Sequence, residues 1–337
     1  DVYFQQHPDH SHREYLEHVL RAAGRLPGMA GVLDPAHAAL WRITPSADAA
    51  RELLEFWRQI DPGTGALVHD FTDPAWGTRF LGDLYQHLSA DARATYALLQ
   101  TPEFIEEFIL DRTLDPALAE VGLAGVSLID PACGSGHFLL GAFARLVGRW
   151  QAAEPATNPG VLAQRALDQI AGVDLNPFAV AIARFRLLVA ALRVSGARRL
   201  ADALSFQTHL ACGDSLLHGL GPPGTRRAQM RLAVERHHYS DEDAAALDAI
   251  LHRTYTVVVG NPPYITPKDA RLNAAYRDRF DSCHRQYSLG VPFTERFMDF
   301  ATPASGGTAG WVGMITANSF MKREFGTKLV RELIPRL

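Results

Sequence analysis

The sequence has little cysteine: only Cys133, Cys212 and Cys283, far apart and with no C-x-x-C pair. That spacing excludes a disulfide framework and a cysteine zinc site, and it predicts a reducing, cytoplasmic setting. Long apolar runs are absent too. A membrane-spanning helix needs about 18 or more consecutive apolar residues. The best candidate, Phe178 to Val194, is interrupted by Arg184, Arg186 and Arg193, so no membrane partner is expected. Net charge is also small, at −4 over 337 residues, which excludes a uniformly basic nucleic-acid binder. That mean hides a polarity, because residues 1–250 carry a balance of −9 and residues 251–337 a balance of +5. With 47% hydrophobic and 21% charged residues the composition is that of a globular protein, which excludes disorder. The length suggests about two domains.

What is present divides at about residue 120. Residues 1–120 read as a helical N-terminal region. Leu16, Val19, Leu20 and Ala23 follow helical spacing, as do Leu53, Leu54, Trp57 and Ile60. Further helices are expected from Thr78 to Leu88 and from Pro102 to about Leu114. The second would be capped by Thr101, with Pro102 in its first turn. Residues 121–337 then alternate short apolar runs with helical stretches. Strands are expected at Val126–Ile129, Ile170–Val173, Thr208–Ala211, Tyr255–Val259 and Gly310–Ile315. Helices are expected at His137–Gln151 and at Pro177–Val194, the latter capped by Asn176. This alternation predicts an α/β fold with a mostly parallel, doubly wound sheet. Residues 218–250 read as a helical surface insertion.

Four motifs follow strands. Asp130-Pro131-Ala132-Cys133-Gly134-Ser135-Gly136 is a glycine-rich strand-to-helix turn, in which the backbone can approach a ligand and offer amide donors. Leu139 stands where a dinucleotide-binding turn needs its third glycine, which argues against NAD. Asp174 ends the second strand, where a carboxylate can accept from both hydroxyls of a ribose. Asp214, after the third strand, can accept from an adenine amino group, although by itself it reads first as a turn residue. Asn261-Pro262-Pro263-Tyr264 follows the fourth strand. Its prolines end the ladder and stiffen the loop. The Asn261 side-chain oxygen and the Pro262 carbonyl are then two fixed acceptors for one planar NH2 group, beside an aromatic face for stacking a base.

In this order the four motifs resemble the gamma class of DNA adenine-N6 methyltransferases. The run D-P-A-C-G-S-G-H-F is similar to its Eco57I-type branch, and within that to the methyltransferases of BREX phage-defence systems. Phe80-Leu81-Gly82-Asp83-Leu84-Tyr85, Thr101-Pro102 and Met314-Ile315-Thr316-Ala317-Asn318-Ser319-Phe320 extend the resemblance over residues 78–337. It implies a Rossmann-like S-adenosylmethionine-dependent methyltransferase sheet, with double-stranded DNA as substrate and other BREX proteins as partners. The setting would be phage defence or restriction–modification. By this resemblance Thr101, Pro102, Asp130, Ala132, Gly134, Gly136, Asp174 and Asp214 bind the cofactor. Asn261, Pro262, Pro263 and Tyr264 form the catalytic loop. Leu99-Gln100 depart from the aromatic pair that usually precedes T-P. The family's last sheet elements and its target recognition domain are expected beyond Leu337.

Other readings share these residues. Protein glutamine methyltransferases also use N-P-P-Y, but the 131 positions from Asp130 to Asn261 exceed their usual spacing. An RNA amine or cytosine N4 is a further possible acceptor. A catalytically silent, cofactor-binding DNA-sensing subunit would keep the same fold. Lys268, Arg271, Arg277 and Arg279 follow the catalytic loop and are candidate DNA-phosphate contacts or simply a solvated face. No metal site is expected: His7, His10 and His12 lack supporting cysteines, and His237-His238 read as solvated. Cys133 reads as a small packed residue, not a nucleophile.

Overall fold

Five short parallel strands carry the site in the computed structural model, which describes residues 2–27, 29–33, 35, 39–70, 77–82, 101–197, 199–201, 204–219, 242–304 and 307–336. They are β1 (Leu128–Asp130), β2 (Ile170–Asp174), β3 (His209–Cys212), β4 (Val257–Gly260) and β5 (Trp311–Met314), in the order β3-β2-β1-β4-β5. Every pairing is parallel, with Leu128 opposite both Ile170 and Val257. All five lie within two residues of their expected bounds. The central strands are apolar up to the aspartates that end β1 and β2, because both faces are covered. Leu128, Ile170, Leu210, Val257 and Val259 enter one core, whereas Ile129, Ala171, Val173, Ala211 and Val258 enter the other. That is the two-residue period of a strand.

On the first face lie α5 (Glu103–Val121), α6 (His137–Ala153), α7 (Pro159–Asp168) and α8 (Pro177–Ser195). The second face is covered by α9 (Ala244–Leu251), α10 (Ala270–Arg279) and α11 (Gly290–Phe300), with Phe325 and Leu329 from the C-terminal turns. Asn176 caps α8 as expected, its side chain accepting from the Phe178 amide at 3.0 Å. Helix α7 was not anticipated, although Asn158 caps it from the Gly160 amide at 2.8 Å and Pro159 opens it.

Helix α5 departs from expectation at both ends. Its N-cap is Pro102, without a side-chain cap bond, so Thr101 does not cap it. It also runs through Pro116 to Val121. Proline costs a helix about 3 kcal/mol in isolation, but Leu114, Ala117 and Leu118 are buried against the sheet layer and hold the turn. The N-terminal helices α1 (Val2–Gln6), α2 (His12–Gly24), α3 (Ala30–Leu33) and α4 (Ala47–Arg58) precede it. Of the expected helix at 78–88, residues 79–82 are helical and 83–88 lie outside the described residues, as do Leu99-Gln100 and His237-His238. The insertion at 218–250 is described only at its ends, where His218 and Glu242 pair at 2.9 Å and α9 begins. No helix among the described residues is long and apolar enough to cross a membrane.

Candidate active site

From β1 the chain steps outward to β2 and β3, then returns to the other side of β1 for β4 and β5. Ligands of open parallel sheets bind at the carboxyl ends of the strands where the order reverses. Here that crevice is bounded by Asp130, ending β1, and by Asn261, following β4. The two walls touch at Gly260, where a methyl group would stand 2.6 Å from Asp130 Oδ1 and 2.9 Å from the Phe297 ring. Only glycine lets the buried carboxylate lie so close to the strand that carries the Asn261 loop.

The β1–β2 wall is built from carboxylates bonded to backbone amides. Asp130, 2% exposed, accepts from the Ala132 amide at 3.1 Å. Asp174 accepts from the Gly134 amide at 2.8 Å and from the Asn176 amide at 2.9 Å. Gly134 and Gly136 have φ of 52° and 84°, which glycine adopts without strain, and a side chain at Gly134 would project into open space. Arg186, buried on α8, donates to the Ser135 carbonyl at 2.7 Å and pins the turn from behind. Burial raises the pKa of Asp130 well above the usual carboxylate range; the Ala132 amide opposes the rise and the Asp174 charge adds to it. Burial raises Asp174 also, against its two amide donors. A cation beside this pair would find two carboxylates already short of counter-charge.

Asp214 is buried too, at 4% exposed. It accepts from the Leu216 amide at 2.8 Å and, through its other oxygen, from the Tyr276 hydroxyl at 2.5 Å. It therefore closes a turn and anchors α10. Ala132 is partly buried beside the second core. Cys133 is buried, and burial pushes its thiol well up, so it is no nucleophile.

The β4 wall is built from side chains bonded to side chains. The Tyr264 hydroxyl donates to Asn261 Oδ1 at 2.5 Å, and Asn261 Nδ2 donates to Thr101 Oγ1 at 3.4 Å. Burial pushes the Tyr264 phenol up to about 12, so it remains a donor at neutral pH. Pro262 is buried and Pro263 half-buried, which leaves the loop little freedom. Of the four basic residues after the loop, Lys268, Arg271 and Arg277 are exposed. Arg279 turns inward and donates to the Gly219 carbonyl at 2.6 Å.

Several contributors escaped the sequence reading. Gly260, Tyr276 and Arg186 are three; the arginines that interrupt an otherwise apolar helix were the available signal for the last. Glu106 and His137 are two more, buried below the turn. Burial raises Glu106 to about 7, against the pull of Arg79 and Arg186. Burial, reinforced by the same two arginines, lowers His137 to about 3, which keeps it neutral. His7 and His10 stack on one another beside Tyr3, and no group of three metal-ligating side chains occurs among the described residues.

Residues 168–334 match the family of Eco57I restriction-modification methylases. Over 98% of its length the chain is 51% identical to the adenine-specific methyltransferase PglX of Streptomyces coelicolor, of which it spans 28%. It is 29% identical over 67% of its length to the type II methyltransferase M.PaeR7I of Pseudomonas aeruginosa, of which it spans 32%. The chain thus spans about a third or less of the curated relatives it matches. Among solved structures, the DrdV–DNA complex shares the fold, with a TM-score of 0.50 at 18% identity, over 91% of this chain and 30% of that one. Parallel sheet, switch-point crevice, motif order and relatives agree: the chain belongs to the Eco57I-type family of restriction-modification methylases.

Proposed function

We propose that the full-length protein transfers a methyl group from S-adenosylmethionine to the N6 amine of adenine in double-stranded DNA. The observation that carries this reading is the contact at Gly260, which sets the Asn261 loop against the Asp130 turn at the switch point. The residues present fit the cofactor. Its sulfonium supplies an electrophilic methyl group, and a positive charge suits the carboxylates of Asp130 and Asp174. Asp174 has a lone pair left on each oxygen for the ribose hydroxyls, and the open face at Gly134 leaves room for close approach. Pro102 and Thr101 stand at the start of α5, on the side of the β4 wall. Asp214 is proposed for the adenine end, where the lone pair left on Oδ2 would accept the amino group.

The catalytic loop does the rest. A target adenine that leaves the duplex stack finds the face of Tyr264. Its N6 hydrogens are taken by Asn261 Oδ1 and the Pro262 carbonyl, which hold the amine and favour a nucleophilic lone pair. No covalent enzyme intermediate is required, because the amine is itself the nucleophile: N6 would bond to the methyl carbon as the carbon–sulfur bond breaks, and one N6 proton would leave to solvent. Fixed acceptors and proximity supply most of the rate gain. Lys268, Arg271 and Arg277 face solvent beside the loop and are proposed phosphate contacts. Similarity to PglX favours BREX-type phage defence as the setting, with other BREX proteins as partners; restriction–modification is the other setting.

Incubation of the full-length protein with labelled S-adenosylmethionine and double-stranded DNA, followed by nucleoside analysis, tests the reading. Label in N6-methyladenine is expected. Label in N4-methylcytosine, or in a glutamine of an added release factor and not in DNA, would overturn it.

A further inference from the structure

Thr101 has no local duty in α5: Pro102 occupies the cap position and no side-chain cap bond is made. Yet Thr101 is only 5% exposed, and a buried hydroxyl needs a partner. The partner lies 160 residues away, at Asn261 Nδ2, 3.4 Å from Thr101 Oγ1. The place is fixed on both sides. The Pro102 carbonyl accepts from the Ile105 and Glu106 amides at 3.0 and 3.1 Å, starting a helix that packs on the strand carrying Asn261.

A carboxamide has one accepting end and one donating end, and a half-turn exchanges them. Only one orientation of Asn261 can accept from a target amine; the other sets NH2 against NH2. In the structure both ends are held, the oxygen by Tyr264 and the nitrogen by Thr101. Oδ1 has two lone pairs, of which the Tyr264 hydroxyl takes one and leaves the other for an entering amine. Thr101 is the side-chain tether on the nitrogen, the end that fixes which way the amide is turned.

We infer that Thr101 is a positioning residue for the catalytic amide, in addition to any contact it makes with the cofactor. Its hydroxyl holds the nitrogen of Asn261 and so keeps the oxygen turned towards the target amine. The inference rests on the reading of Asn261 as the amine acceptor.

The test uses the full-length protein with Thr101→Val and Thr101→Ser. Thr101→Val should lower kcat by about 10- to 100-fold, the scale on which a slightly misplaced reacting group is felt. The loss in kcat should exceed any loss of affinity for S-adenosylmethionine, the Tm should stay near wild type, and Thr101→Ser should recover most of the rate. Equal turnover by Thr101→Val and wild type would overturn the inference. So would a loss confined to cofactor affinity with kcat retained, which would make Thr101 a cofactor ligand only. If wild type delivers the label to an amine other than adenine, the substrate reading fails, while the Val–Ser contrast on that amine still decides the role of Thr101.

Discussion

On the β1–β2 side of the crevice, carboxylates bond to backbone amides: Asp130 to Ala132, Asp174 to Gly134 and Asn176. On the β4 side, a hydroxyl, an amide and a second hydroxyl bond to one another through Tyr264, Asn261 and Thr101. In the first arrangement every donor is a backbone amide fixed by its turn, so only the carboxylates can turn. The second can be rearranged by turning side chains. The difference suits the proposed roles, a preformed cradle for the cofactor and a wall that can adjust its side chains around an incoming base. Substitutions on the first wall should therefore strike binding and stability together, and those on the second should strike turnover.

Gly260 lies where the walls meet, and its replacement should have the largest effect on the fold. Gly260→Ala forces a methyl group against Asp130 and Phe297. Overpacking of this kind costs about 1–3 kcal/mol, and at about 2–4 °C per kcal/mol the Tm should fall by several degrees. A Tm equal to wild type would show that the walls are less tightly coupled than described.

Acidification should separate the walls by chemistry. Burial raises the pKa of both Asp130 and Asp174, so they lose their charges at a higher pH than ordinary carboxylates. A cationic cofactor favours the charged forms. Its affinity, measured by calorimetry, should be full at alkaline pH and weaken as pH falls, with the onset above the usual carboxylate range. Asp174→Asn should flatten that dependence, whereas Asn261→Ala should leave it unchanged.

Glu106 is a smaller case, since it bears on stability alone. Its folded pKa of about 7 lies above the ordinary value of 4.5, so the fold favours the protonated acid and loses stability as pH rises between those values. Glu106→Gln mimics the protonated form. It should raise the Tm by about 2–4 °C at pH 8, with the gain disappearing below the ordinary carboxylate pKa. Smallest of all is Arg277→Ala. It should lower the salt dependence of DNA binding by about one counterion, whereas Arg279→Ala, turned towards Gly219, should not.

The sheet was legible because its strands are short apolar runs closed by Gly, Pro and Asp, and burial on both faces leaves such runs no alternative. The residues ending β1, β2 and β4 were legible for the same reason, since each follows its strand directly. What the sequence hid depends on pairing across long separations. Arg186 meets Ser135 from 51 residues away, and Arg296 meets Ser215 from 81. Local rules also gave way to tertiary packing. Thr101 has the sequence position of a cap but turns to Asn261, and α5 passes Pro116 because its buried face outweighs one lost hydrogen bond.

The separation of the two walls is tested most directly by measuring cofactor affinity and methyl transfer on the same preparations of full-length wild type, Asp174→Ala and Asn261→Ala. Loss of hydrogen bonds to a charged group is worth about 1.5–3 kcal/mol, so Asp174→Ala should weaken cofactor binding by roughly ten- to a hundredfold. Asn261→Ala should bind cofactor like wild type and lose transfer by about 10²–10³-fold, as removal of a fixed polar partner of the reacting group does. Full transfer by Asn261→Ala, or a loss of cofactor affinity matching that of Asp174→Ala, would contradict the account.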